Sequence, residues 1–248
     1  MPQKFFISDL HLSEDRPQTL NLFLHFTQTR PKSGDSIFIL GDLFDTWIGD
    51  DDDSSIASNI RSDFKRLTKE GIHLFIQRGN RDFLLGKQFM KDTGAKILSD
   101  PTVMEVAGER AILMHGDLLC TDDTNYLKAR KKLRNPLFQW IVLRRSLESR
   151  RSLAKEYRLK SKLAIAKKSP DIMDAKNDAV NQYLMKFNAD LLIHGHTHRP
   201  AVHEHILKNG KKARRVVLDE WHKTYASIWI DDEKKFFQEK ISIDEKTF

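Results

Sequence analysis

Five short apolar runs punctuate the chain, and each leads to a polar residue set in a loop. Phe5-Phe6-Ile7 runs into Ser8-Asp9-Leu10-His11, Ile37 to Leu40 into Gly41-Asp42, and Ile72 to Ile76 towards Gly79-Asn80. Ala111 to Met114 runs into His115-Gly116-Asp117, and Leu191 to Ile193 into His194-Gly195-His196. Continuous short runs suit central strands buried on both faces. Polar residues at the strand ends suit a site built on one edge of an α/β sheet.

Helical spacing fills the gaps between runs. Thr19 to Gln28 repeats apolar positions at Leu20, Phe23, Leu24 and Phe26. Ser54 to Glu70 predicts a second helix, with Gly71 as its C-terminal stop. Asp178 to Phe187 predicts a third, with Val180, Tyr183, Leu184 and Phe187 on one face. Beyond residue 200 the spacing changes. Val216 to Leu218, Tyr225 to Ile230 and Phe236 to Ile243 read as strands, and Asn209-Gly210 carries a hairpin signal. This order predicts a mixed sheet, or a second sheet packed on the first, with helices outside.

Residues 126–168 interrupt the strand series and contain no glycine. Leu133, Leu137, Trp140, Ile141 and Leu147 form an apolar stripe, which Leu153, Tyr157 and Leu159 extend. The stretch predicts a helical cap inserted into a single domain spanning residues 1–248.

Charge sharpens that reading. The chain carries +7 overall. The 126–168 stretch holds fifteen Lys or Arg against only Glu148 and Glu156, a balance of +13 that leaves −6 for the remainder. So few acids cannot satisfy the helix pairing expected of an ordinary solvated face. The asymmetry points to an anionic partner: nucleic acid, a phosphorylated substrate or an anionic membrane surface. Forty per cent hydrophobic residues suffice for a core. No apolar run approaches the ~20 residues needed to span a bilayer. The start, MPQKFFISDLHL, lacks the features of a signal peptide, so a cytoplasmic fold is expected. The single Cys120 excludes an internal disulfide, fits a reducing compartment and reads as a small buried hydrophobe.

The chemistry concentrates in five elements: Asp9-x-His11, Gly41-Asp42-x-x-Asp45, Gly79-Asn80-Arg81-Asp82, His115-Gly116-Asp117 and Gly195-His196-x-His198. Carboxylate and amide oxygens with imidazole nitrogens bind hard or borderline divalent metals. Two metals ~3.5–4 Å apart need a bridging carboxylate, for which Asp42 is the natural candidate. Each element alone is common. All five, in this order and each at a predicted strand end, are far more specific.

That order resembles the calcineurin-like metallophosphoesterases, over residues 5 to about 200. SDLHLSEDRP, GDLFDTWIGDD, GNRDFLLG, LMHGDLLCTDD and IHGHTHRP narrow the resemblance to the UDP-2,3-diacylglucosamine diphosphatases of the lipid A pathway. Arg81, where most of the superfamily has His, and the basic insertion agree with that branch. The resemblance implies an α/β fold, an αββα metallophosphoesterase sandwich of two mixed sheets with an inserted helical cap. It implies two Mn²⁺ ions per chain. Asp9, His11, Asp42 and His198 would hold the first, and Asp42, Asn80, His115 and His196 the second. Asn80 and Arg81 are the implied catalytic residues. Substrate contacts map to Asn80, Arg81, Asp123, Ser161, Lys168 and His196. A further family substrate position falls on Ile165, which offers neither amide nor hydroxyl. The implied reaction is attack of metal-activated water on the α-phosphorus of UDP-2,3-diacylglucosamine, giving UMP and 2,3-diacylglucosamine 1-phosphate. The implied setting is peripheral, on the cytoplasmic face of the inner membrane against its anionic surface. A monomer with no nucleic-acid partner is expected.

Other polar residues carry weaker signals. His25, His73, His203, His205 and His222 read as structural or surface groups. His194, Asp45 and Asp117 read as supporting residues rather than ligands. The Asp50 to Asp53 run reads as a solvated turn before the Ser54 helix. Competing functions are a nuclease or phosphoprotein phosphatase, a nonspecific phosphodiesterase, and a metal-free scaffold. The apolar stripe and Arg81 disfavour the first, and the complete ligand set disfavours the last.

Overall fold

Alternation within each strand decides how the layers stack. Strand β1 (Lys4–Ile7) sends Phe5 and Ile7 into one apolar cluster and Phe6 into another. Strand β2 (Ser36–Leu40) divides Ile37 and Ile39 from Phe38 and Leu40 in the same way. The first cluster is closed by helices α1 (Pro17–Thr29), α2 (Ser55–Lys69) and α3 (Lys87–Thr93). The second is closed by another sheet, through Leu113, Leu191, Ile193 and Val216. That sheet turns Ile112, Met114 and Leu192 outward against Val180 and Leu184 of a further helix. Four layers result, αββα. The computed structural model describes residues 2–166, 168–232 and 235–242.

Both sheets are mixed. In the first, β1, β2, β3 (His73–Gln77) and the short β4 (Lys96–Ile97) run parallel. Antiparallel β10 (Tyr225–Asp231) and β11 (Phe236–Ser242) extend it beyond β1. Ile243, the predicted end of the last strand, lies outside the described residues. The second sheet has the order β5 (Thr102–Val106), β6 (Glu109–Met114), β7 (Leu191–His194), β9 (Lys212–Val217) and β8 (Ala201–Ile206). Its β6, β7 and β9 are parallel. The Asn209-Gly210 turn joins β8 to β9, with Gly210 at φ +77. Strands β5 and β8 carry mixed polar sequences on sheet edges, so neither announces itself as an apolar run.

Helices α4 (Thr124–Leu133), α5 (Pro136–Leu143) and α6 (Leu147–Ile165) fill the gap between β6 and α7 (Asn177–Lys186). Arg150 is their only buried residue. The basic side chains expected to face outward are divided between two tasks. Arg130 reaches Asp117 at 2.6 Å and Asp100 at 3.0 Å, and Arg134 donates to the carbonyls of Arg78 and Gly79. Arg150 donates to the Ile48 carbonyl at 2.8 Å and grips both oxygens of Asp51. Arg151 pairs with Asp53. Lys128, Lys131, Lys132, Arg144, Arg145, Lys155 and Lys162 stay exposed.

The expected solvated turn at Asp50 to Asp53 does lead into α2 with Asp51 and Asp53 exposed, but it is corrected at Asp50 and Asp52, which are drawn into the fold. Asp50 accepts from the backbone N–H groups of Gly86, Gln88 and Phe89 at the start of α3. Asp51 and Asp53 receive α6. Part of the −6 of the body is local complementarity to the +13 segment. Cys120 is buried as expected, and burial pushes its thiol up to about 12. Among the described residues, no helix is long and apolar enough to cross a membrane.

The Arg150 anchor makes a local prediction. Hydrogen bonds to a charged group contribute about 2 kcal/mol each, so Arg150→Ala should loosen α6 before the sheets. Hydrogen exchange should rise at least tenfold along α6 and stay unchanged in β1, β2 and β7.

Candidate metal centre

Seven predicted donors come from the C-terminal ends of five parallel strands: Asp9 and His11 after β1, Asp42 after β2, Asn80 after β3, His115 after β6, and His196 and His198 after β7. The two sheets thus meet at one edge. Five of these residues, Asp9, His11, Asp42, His196 and His198, have φ between 49 and 67. A side chain in this left-handed region costs ~1–3 kcal/mol and persists where surrounding structure enforces it. Such bends turn successive side chains inward that an extended strand would send to opposite faces. Close backbone approach is also needed. A Cβ on Gly41 would lie 2.8 Å from the Gly79 Cα and would collide with the His115 ring at Nδ1.

The donors gather into two overlapping groups. In one, His198 Nε2 lies 3.4 Å from Asp9 Oδ1 and 3.4 Å from His11 Nε2. In the other, Asn80 Oδ1 is 2.9 Å from both His115 Nε2 and His196 Nδ1, which are 3.2 Å apart. Asp42 lies between them, with Oδ2 3.8 Å from His11 Nδ1 and Oδ1 3.9 Å from His115 Nε2. Asp9 also reaches both sides, forming one compact set with His11 and His198 and another with Asp42 and His115.

Hydrogen bonds aim these atoms. Ser8 Oγ and the His196 N–H donate to Asp9 Oδ2, leaving Oδ1 buried without a hydrogen-bond partner. His11 Nδ1 is likewise buried and unpartnered. His115 Nδ1 donates to the Leu40 carbonyl at 2.9 Å, so its Nε2 lone pair faces Asn80. Asp82 accepts from the Leu43 and Gly79 N–H groups, tying the β2 loop to the β3 loop. Burial pushes the Asp42 carboxyl up to about 7; His115 opposes the rise, while Asp82 and Asp9 reinforce it. Burial also disfavours charge on His198, yet the neighbouring carboxylates of Asp9 and Glu220 raise it to about 10. Clustered carboxylates, unpartnered buried donor atoms and a mixed O/N set all fit divalent cations.

The remaining predicted residues surround this centre. Arg81 Nη1 donates to Asp45 at 3.0 Å, and its Nε lies 3.5 Å from Asp42 Oδ2. Arg158 of α6 donates to both Asp45 oxygens at 2.7 Å. Asp123 and Lys168 are brought together in a 2.5 Å ion pair. Ser161 is half-buried on the same side of α6 as Arg150 and Arg158, while Ile165, a turn further, is exposed. The Tyr126 ring lies 5.8 Å from that of His196, and its hydroxyl donates to Asp117.

Comparison with known proteins agrees with this arrangement. Residues 5–200 match the family model described as calcineurin-like phosphoesterase. The chain belongs to the calcineurin-like phosphoesterases. It is 40% identical over 227 residues to UDP-2,3-diacylglucosamine hydrolase of Pseudomonas putida, covering 92% of this chain and 94% of the relative. Proteins of the same name from Histophilus somni and Tolumonas auensis are 41% and 42% identical, over 90% and 92% of this chain and 94% and 93% of theirs. Membership of this phosphoesterase family implies a divalent metal cofactor, which the two donor groups suit.

Sequence reasoning missed the groups that brace the donors. Glu220 Oε2 lies 2.7 Å from His198 Nδ1, and Glu220 also pairs with Arg16. The signal was present: Val216-Val217-Leu218 ends in Asp219-Glu220, the same run-then-polar pattern that marks the ligands. Arg158 had no distinguishing mark among fifteen basic residues.

Glu220 fixes the orientation of His198, and partners of ligand imidazoles typically change metal affinity 10–100-fold. Glu220→Gln should weaken metal binding by about tenfold in a chelator competition, with unchanged circular dichroism. Unaltered affinity would remove Glu220 from the centre.

Proposed function

We propose that the chain hydrolyses the diphosphate bond of UDP-2,3-diacylglucosamine, releasing UMP and 2,3-diacylglucosamine 1-phosphate in lipid A biosynthesis. The observation that carries this reading is the meeting of a paired donor cluster with an arginine-rich rim and exposed apolar side chains on adjoining helices. Relatives of that name align with nearly the whole chain.

In this reading two Mn²⁺ ions bind, one to Asp9, His11, Asp42 and His198 and one to Asp42, Asn80, His115 and His196. When bound, such a pair lowers the pKa of water and offsets phosphoryl charge. The chain's own residues hold and orient the substrate. Arg81 supplies a permanent planar charge to the phosphoryl oxygens, which a neutral histidine could not. Its partner Asp45 also binds Arg158, so an incoming diphosphate meets two guanidiniums already drawn together. The Asn80 amide keeps its oxygen towards His115 and His196. Asp123, Lys168, Ser161, Ile165 and His196 complete the proposed substrate contacts.

The chain is read as one metallophosphoesterase domain over residues 1–248, with a cap inserted at 126–168. Leu137, Trp140 and Ile141 on α5, with Leu153, Leu159 and Leu163 on α6, are exposed hydrophobic side chains. Leu137 is 65% exposed and Leu159 60%, an unusual density outside a core. These side chains suit acyl chains, and the exposed cap lysines and arginines suit an anionic surface. The protein would act as a peripheral monomer on the cytoplasmic face of the inner membrane.

Purified protein with Mn²⁺ should release UMP from UDP-2,3-diacylglucosamine and leave a DNA oligonucleotide intact. His11→Ala or Asp42→Ala should abolish that release with the fold retained; full activity in either would sink the assignment. Arg81→Ala should cost about 100-fold in kcat, the scale of losing one electrostatic stabiliser.

Replacing Leu159 and Leu163 by Ser should raise KM for the diacyl substrate about 30-fold or more, since each lost apolar contact is worth ~1–3 kcal/mol. Hydrolysis of a small water-soluble phosphodiester should not change. Equal losses on both substrates would argue against acyl binding here.

A further inference from the structure

A cavity of about 230 Å³ opens on the second sheet where β8 and β9 meet the turn after β7. Asp174, Thr197, Arg199, His203 and Arg215 line it. Arg215 pairs with Leu192 on one side and His203 on the other, so its side chain leaves the sheet on the α7 face. Arg215 is only 5% exposed, and its Nε and Nη1 are buried without a hydrogen-bond partner. Thr197 Oγ1 is buried and unpartnered as well.

Asp174, the acid nearest to hand, is already engaged. Arg199 Nη1 donates to its Oδ2 at 2.5 Å, and the Ala175 N–H donates to its Oδ1 at 2.7 Å. Asp174 thus accepts from Arg199 and its own loop, and no hydrogen bond reaches Arg215 Nε or Nη1. A guanidinium has five donors and no acceptor, and it keeps its charge when buried. Leaving such donors unmatched in a buried site is costly unless an acceptor arrives. Burial lowers the Arg215 pKa, and the nearby Asp174 offsets only part of that fall. The needed ligand accepts several hydrogen bonds and carries negative charge. A tetrahedral oxyanion matches the planar guanidinium fork and fits the volume with room for water.

We propose that this cavity binds a phosphate-class oxyanion through Arg215, Arg199 and Thr197, as a site separate from the metal centre. Neither the metal donors nor the proposed substrate contacts include these residues. The site is nonetheless adjacent in sequence, because Thr197 stands between His196 and His198. A bound oxyanion would tether the turn that presents both imidazoles. The phosphate could be free in solution or part of a lipid headgroup.

The test uses metal-loaded, full-length protein. Inorganic phosphate, titrated at constant ionic strength, should raise the Tm of the wild type by a few degrees and saturate. Arg215→Met should lose most of that rise, and its Tm without phosphate should not fall. Arg199→Gln, at a largely exposed side chain, folds independently of this outcome and should lose about half of the rise. Equal rises in wild type and both variants would place the anion at the metal centre and overturn the proposal. Cosedimentation with phosphatidylglycerol vesicles separates the two sources. At least threefold weaker binding of Arg215→Met assigns a lipid headgroup, whereas equal binding with a phosphate-dependent Tm rise assigns a soluble phosphate. No Tm rise in the wild type together with equal vesicle binding would overturn the site altogether.

Discussion

Asp9, Asp42 and Asp82 lie buried at one place, where loss of water disfavours charge on Asp42 and Asp82, while His198 and the neighbouring imidazoles overcome the same loss at Asp9 and hold it below the usual carboxylate range. Backbone and hydroxyl donors satisfy part of the demand. Asp82 is consumed by the Leu43 and Gly79 N–H groups, and Asp9 Oδ2 by Ser8 and His196. What remains, Asp9 Oδ1 beside His198 and Asp42 beside Arg81, faces cationic side chains and suits divalent cations as well. The rest of the architecture follows from bringing these carboxylates together. Parallel strands deliver loops to a common edge, two sheets supply enough loops, and left-handed bends at five donors turn them inward. Burial and backbone strain are both conformational costs that cation binding offsets.

The helical insertion obeys the opposite logic. It has almost no core of its own, with Arg150 alone buried, and is held to the body by arginines reaching across to acids and carbonyls. Polar fastening leaves its apolar residues unspent. Leu137, Trp140, Ile141 and Leu159 therefore remain on the surface instead of stabilising the fold. A segment arranged to bind a lipid would keep apolar area available in this way. Arg158 links the two regions most directly, since its Asp45 partner also holds Arg81.

The donors were legible because each ends an apolar run and each type is a common metal ligand. The central strands and the three main helices followed from the same local periodicities, whereas the two-sheet sandwich rested on the family resemblance and the strand order emerged only in the fold. The supporting contacts were hidden for a physical reason. Arg158 and Asp45, Arg150 and Asp51, and Asp123 and Lys168 pair across long sequence separations and have no local signature. The Asp50 to Asp53 run hid its partners for the same reason: Asp51 and Asp53 stay exposed yet both pair with α6. Strand β8, with two histidines and a glutamate among six residues, sits at a sheet edge where alternation need not be apolar.

Asp9 and His198 are far apart in the sequence, yet their side chains are 3.4 Å apart. A cation shared by them would act as a cross-link closing most of the polypeptide into a loop. It would also join the two sheets, because Asp9 and His11 follow a strand of one and His198 follows a strand of the other. Closing so long a loop restricts the unfolded chain, much as a disulfide does in a protein with two cysteines. This chain has only Cys120 and cannot form that bond internally. Losing the cation would therefore slacken the seam between the sheets as well as halt the chemistry.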